Sequence, residues 1–159
     1  MKTIAEAKRF LHENFKVGTQ CPVCRQRVRL DPLKLDATMA AMLCRLSWLP
    51  EGFHHVSTLI FSPTTGRNFA SLKHWGLIAE QPNDDPKKRT SGQWAMTGKG
   101  FDFVRGRLGV PRHALLYNRK CWGMSDEKTN IATALGDKFD YQELNRQYNP
   151  AYKAIDPPF

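Results

Sequence analysis

The sequence predicts an α+β fold on three observations. Leu35 to Leu49 is apolar on two sides at helical spacing, which marks a central core helix. Residues 64–104, TTGRNFASLKHWGLIAEQPNDDPKKRTSGQWAMTGKGFDFV, run in the order short helix, strand, basic loop, strand, new helix. HALLYN and KCWGM, within residues 113–124, read as the two arms of a β-hairpin turning at Asn118-Arg119-Lys120. A chain of 159 residues, 41% apolar with four Trp and nine Phe, is long and hydrophobic enough to bury a real core. No stretch approaches the roughly 18 apolar residues of a membrane-spanning helix, so no membrane partner is expected. The start, MKTIAEAKRFLHENF, is charged where a signal peptide would be apolar, so the cytoplasm is the expected location.

Taken in order, residues 3–15 are predicted helical, with Ile4, Ala7, Phe10 or Leu11, and Phe15 on one stripe. Residues 18–30 form a loop or short hairpin around Cys21 and Cys24, followed by the alternating RQRVRL, and Asp31-Pro32 marks a turn. Asp36 is placed to cap the core helix. That helix carries Leu35, Met39, Met42, Leu43, Leu46 and Leu49 on one stripe and Ala37, Ala41, Cys44 and Trp48 on the other. Beyond Pro50-Glu51-Gly52, His54 to Phe61 is expected as a second, shorter helix, and 62–66 as the turn before a third.

The third helix, about Thr65 to Trp75, ends at Gly76, a residue suited to the position after a helix. Phe69 and Leu72 point inward, while Arg67, Asn68, Ser71 and His74 share the opposite face. Those side-chain types reach base edges: Arg to guanine, Asn to adenine, Ser to either. Strands from Gly76 and from Gln93 then flank PNDDPKKRTSG, a loop of about 82–92 with Lys87, Lys88 and Arg89 at or near its tip, suited to phosphate. Thr97 caps a helix over 98–107 with Phe101 and Val104 inward and Arg105 and Arg107 at its end. Asp140 to Tyr148 is a further helix, Asp140 and Glu143 being spaced as a capping box. Asn149 to Phe159, with three prolines, is expected to be extended.

The net charge of +9 is uneven along the chain. Residues 1–50 hold nine Lys/Arg against four Asp/Glu, 51–80 two against two, 81–120 nine against three, and 121–159 four against six. The excess around the basic loop suits a polyanion. Four cysteines without an export signal argue against disulfides. Cys21 and Cys24, as C-P-V-C, have the spacing of half a zinc site, with the other ligands unassigned, so zinc is a possible cofactor. The motifs of serine hydrolases, nucleotide-binding loops and zinc proteases are absent, and no enzyme is expected.

LKHWGLIAE followed by SGQWAMTGKGFDFVRG resembles the recognition-helix end, wing and following helix of MarR-like winged-helix proteins. There, GLI opens the wing and W-x-x-T-x-x-G closes it. With CPVC and the later YN…WG…LGDKFDY, most of the chain is similar to small uncharacterised phage and prophage proteins of this type. The resemblance implies a winged helix-turn-helix core over 31–108. An N-terminal helix and CxxC loop over 1–30 pack on it, and 109–159 forms a C-terminal hairpin, helix and Pro-containing tail. The chain lacks the long C-terminal dimerisation helix of MarR-type regulators. The implied function is binding of double-stranded DNA as a phage or prophage regulator of transcription. Arg67, Asn68, Ser71 and His74 would enter the major groove, and Lys73, Lys87, Lys88, Arg89 and Arg105 would take phosphates. The alternative is a protein-interaction module, a phage factor inhibiting a host or defence complex, with Tyr117 and Trp122 as candidate contacts.

Overall fold

The computed structural model describes residues 3–59, 68–88 and 91–148. Arg67, Arg89 and the tail from Asn149 lie outside them. The chain is α+β. In order its elements are α1 (Ile4–Asn14), β1 (Thr19–Gln20), β2 (Arg27–Val28), β3 (Asp31–Lys34), α2 (Ala37–Ser47), β4 (His54–His55), a 3₁₀ turn (Val56–Thr58), a 3₁₀ helix (Phe69–Trp75), β5 (Ile78–Glu80), β6 (Gln93–Met96), α3 (Gly98–Val104), β7 (Val110–Pro111), β8 (His113–Tyr117), β9 (Lys120–Met124), β10 (Lys128–Thr129), α4 (Ile131–Leu135) and α5 (Tyr141–Tyr148). Two compact units result, 1–34 with 113–125 and 35–112 with 126–159. The segment 109–159 is thus shared, its hairpin belonging with 1–34 and its helices with 35–112. No helix among the described residues is long and apolar enough to cross a membrane.

In the first unit, α1 opens on a capping box in which Thr3 and Glu6 each accept the other's backbone N–H, at 3.2 and 2.9 Å. Its expected apolar stripe turns inward only in part: Ala7 and Phe15 are buried, but Ile4 is 72% exposed. β1 and β2 pair as a hairpin that carries the Cys pair between them. The alternation of RQRVRL is a strand alternation, with Val28 and Leu30 buried against Phe15, and Arg27 and Arg29 outside. Asp31-Pro32 does not turn the chain. It begins β3, the edge strand of the sheet β3-β8-β9, where a residue without an N–H is tolerated. β8 and β9 join through Asn118 and Arg119, both left-handed (φ 51° and 64°), the conformation that a two-residue hairpin turn of this kind requires.

In the second unit, α2 is the core. Asp36 accepts the Met39 N–H at 2.8 Å, and Met39 through Cys44 and Leu46 are all buried. α3, α4, α5, β6 and the 3₁₀ helix pack around it. The segment expected as a helix over 54–61 instead gives β4, which pairs with Gln93 and Trp94 of β6, and Val56 N–H prolongs the pairing to the Gly92 carbonyl at 2.9 Å. Only the short 3₁₀ turn follows before the described residues end at Leu59. The resulting sheet has the order β4-β6-β5.

The expected α-helix to Trp75 is a 3₁₀ helix. Phe69, Leu72 and Trp75 recur every third residue, which matches three residues per turn and places all three on one buried stripe. Phe69 meets Trp94 edge to face at 6.4 Å, and the Trp75 indole N–H donates to the Pro111 carbonyl at 2.6 Å. Gly76 ends the helix in the left-handed region at φ 74°. α3 stops at Val104, short of the expected 107, and its inward pair is Phe103 and Val104, with Phe101 only half-buried. α4, capped by Asn130, and β10 have no counterpart in the sequence expectation.

Candidate functional site

The 3₁₀ geometry regroups the expected base-reading residues. Asn68, which precedes the helix, Ser71 and His74 are spaced by three, so they fall on one row beside the buried stripe. Asn68 is exposed, Ser71 and His74 are half-buried, and Lys73 is exposed on the neighbouring row. His74 titrates below the ordinary histidine range, first because it is partly desolvated and then because Lys73 stands beside it. At neutral pH it offers a neutral ring with one donor and one acceptor, not a cation.

The basic loop between β5 and β6 is organised by its own acidic and amide side chains. Asn83 accepts the Asp85 N–H at 3.1 Å and donates to the Lys88 carbonyl at 2.6 Å. Asp85 accepts the Lys87 N–H at 2.9 Å, and its carbonyl accepts the Lys88 N–H at 3.1 Å. These are turn-forming bonds of the kind Asn and Asp supply. They fix the backbone at Lys87 and Lys88, whose side chains are both exposed. The base is closed by the Gln81 N–H on the Gln93 carbonyl at 2.9 Å and the Ser91 N–H on Glu80 at 3.0 Å.

Behind the loop, Thr97 joins three parts. Its hydroxyl donates to the Gly76 carbonyl at 2.6 Å and accepts the Gly100 N–H at 3.0 Å, and its N–H donates to the Leu77 carbonyl at 3.2 Å. The end of the 3₁₀ helix, the base of the loop and the start of α3 are thereby fixed together. Beyond α3, Arg107 pairs with Asp102 at 3.8 Å and Arg112 with Glu127 at 2.7 Å. Arg105 is exposed and lies over the Phe101 ring at 5.2 Å.

The charge is distributed differently from the linear count. The unit 1–34 with 113–125 holds ten Lys/Arg against three Asp/Glu, a net +7, while the other unit holds fourteen against twelve, a net +2. Arg119 and Lys120, counted with the basic loop along the chain, belong with the N-terminal segment in space. The pairing of β3 with β8 causes this, and nothing local to either strand reports it.

Cys21 and Cys24 sit in the β1–β2 turn, closed by Cys21 N–H on the Gln26 carbonyl and Arg25 N–H on the Cys21 carbonyl, each at 2.8 Å. The N–H groups of Cys24 and then Val23 point at the Cys21 sulfur and lower its pKa, against a smaller opposing effect of burial. The same N–H groups favour the thiolate form, which is the form that binds metal. Among the described residues, no group of three or more His, Cys, Asp or Glu is placed to hold an ion. Cys44 is fully buried in α2 and its thiol is pushed up to about 12 by that burial. The chain matches no family model, no curated protein and no solved structure.

Proposed function

We propose that the protein is a winged-helix DNA-binding protein, a phage or prophage regulator in keeping with the proteins its sequence resembles. The observation that carries this is the order of parts in the second unit. A core helix, α2, leads to β4. The 3₁₀ helix precedes β5, the basic loop connects the adjacent strands β5 and β6, and α3 follows. β4 precedes the 3₁₀ helix in sequence and pairs with the second arm of the loop. In this reading Asn68, Ser71 and His74 face base edges, Arg67 stands one residue before them in sequence, and Lys73, Lys87, Lys88, Arg89 and Arg105 take phosphates. The order at the loop tip supports the assignment, because a turn held by Asn83 and Asp85 presents its lysines at low entropic cost.

Selection of bound duplexes from a random library tests it. A defined motif should emerge. Asn68→Ala and Ser71→Ala should each weaken binding to that motif by roughly 5- to 150-fold, the worth of one base contact, and leave random duplex unaffected. Absence of any enriched motif removes the base-reading assignment.

A protein-interaction module is the second reading. It is favoured by exposed apolar side chains on the first unit, Ile4 at 72%, Val17 at 85% and Val23 at 59%.

A further inference from the structure

The first unit carries a surface that the winged-helix reading does not use. Between α1 and the β8–β9 hairpin lies an open hollow of about 110 Å³, lined chiefly by Lys8, Leu11, His12, Phe15, Tyr117 and Trp122. Among the described residues, no carboxylate lines it.

Trp122 forms its wall and is held in place. Its indole N–H donates to the Tyr117 carbonyl at 3.3 Å, and its ring meets His12 at 4.9 Å and Phe15 at 5.5 Å, both edge to face. Even so, 40% of the residue is exposed. A large aromatic, braced on several sides yet left open, is a stacking surface that loses little freedom when covered.

The cations fall around it. Trp122 lies at the irregularity where the pairing steps from Cys121 to Gly123, and Lys120 is directly opposite Tyr117 on β8, so it shares the face of that lining residue. Arg119 is the exposed turn residue beside it, and Lys8 lies on the lining itself. Among the described residues none of these three forms an ion pair. The surrounding unit is the one with net +7.

We infer that this hollow binds single-stranded nucleic acid, an unpaired base stacking on Trp122 and Tyr117 while Lys8, Arg119 and Lys120 take the flanking phosphates. Duplex bases do not present their faces, so this site selects unpaired segments. An acidic peptide would satisfy the lysines but would leave the braced aromatic wall without a planar partner. The site is independent of the winged-helix reading, since it uses none of the same residues.

The test is binding of a fluorescein-labelled oligo(dT) 12-mer to the full chain by anisotropy, across a salt series. Binding is expected at low salt. Trp122→Ala should weaken it by roughly 5- to 150-fold, the loss expected for one stacked base, while Trp122→Phe should retain most of it. Lys8→Ala and Lys120→Ala should each lower the salt slope by about 0.7. Alanines at Lys87, Lys88 and Arg89 should weaken oligo(dT) binding less than Trp122→Ala does. Absence of binding at low salt overturns the inference. So does a folded Trp122→Ala protein that binds as the parent does, or binding lost only with the loop lysines. Should Trp122→Ala fail to fold, Trp122→Phe and the two surface lysine variants decide.

Discussion

At Gly100 a side chain has nowhere to go. A methyl group there would meet the Leu77 carbonyl oxygen at 2.2 Å and Met96 at 3.0 Å, because the first turn of α3 lies directly on the chain leading into β5. The glycine that ends W-x-x-T-x-x-G is therefore a packing requirement of the loop's base. Alanine favours a helix interior over glycine by about 1 kcal/mol, yet overpacking costs about 1–3 kcal/mol. Gly100→Ala should lower stability, read as a fall in Tm, and a rise would mean that α3 is not seated as described. Cys44 gives a second residue-scale expectation. Its folded thiol keeps its proton to about pH 12, whereas the ordinary value is 9.0. The unfolded state thus ionises first, so stability is level below pH 9 and falls as pH rises between 9 and 12. The slope is at most about 1.4 kcal/mol per pH unit. Denaturant unfolding of Cys44→Ala across that range should lack this component, and identical slopes in both proteins would contradict the burial.

Among the elements, α2 was legible because everything that defines it is local: the Asp36 cap, the double apolar stripe and the Pro50 stop. The β8–β9 hairpin was legible for the same reason, its turn residues lying between its strands. β4 was not, because His54-His55 becomes a strand only through pairing with Gln93-Trp94, distant in sequence. The 3₁₀ helix was legible in place but not in type. F-x-x-L-x-x-W satisfies an α-helical period as well as a threefold one, and the two separate only when all three residues are buried together. The change matters for the candidate site, since it sets Asn68, Ser71 and His74 in line. The β1–β2 hairpin has its own expectation. We propose that Cys21 and Cys24 supply two ligands of a zinc ion, the N–H groups aimed at the Cys21 sulfur favouring the thiolate. Metal analysis of protein purified without added zinc should find bound metal that Cys21→Ser removes, and a ratio near zero would end the proposal.

On the scale of the whole molecule, the instructive result is where the charge goes. Counting along the chain placed the excess at the basic loop. Strand pairing moves Arg119 and Lys120 to the N-terminal segment and leaves the loop's own unit close to balance, at net +2. Membership of a unit depends on β3 meeting β8, a pairing no window of sequence contains. The loop lysines must then act locally, neutralising a few phosphates from a nearly neutral body. Their contribution should be small in number and separable from that of the other unit.

The most direct measurement is a salt titration of binding to a random-sequence duplex by fluorescence anisotropy, with alanines at Lys87, Lys88 and Arg89 alongside the parent. The winged-helix account predicts affinity that falls steeply with salt. It also predicts a slope reduced in the variant by about 0.9 for each phosphate no longer neutralised, up to roughly 3 in all. Binding with the same slope in both proteins, or none even at low salt, would contradict it.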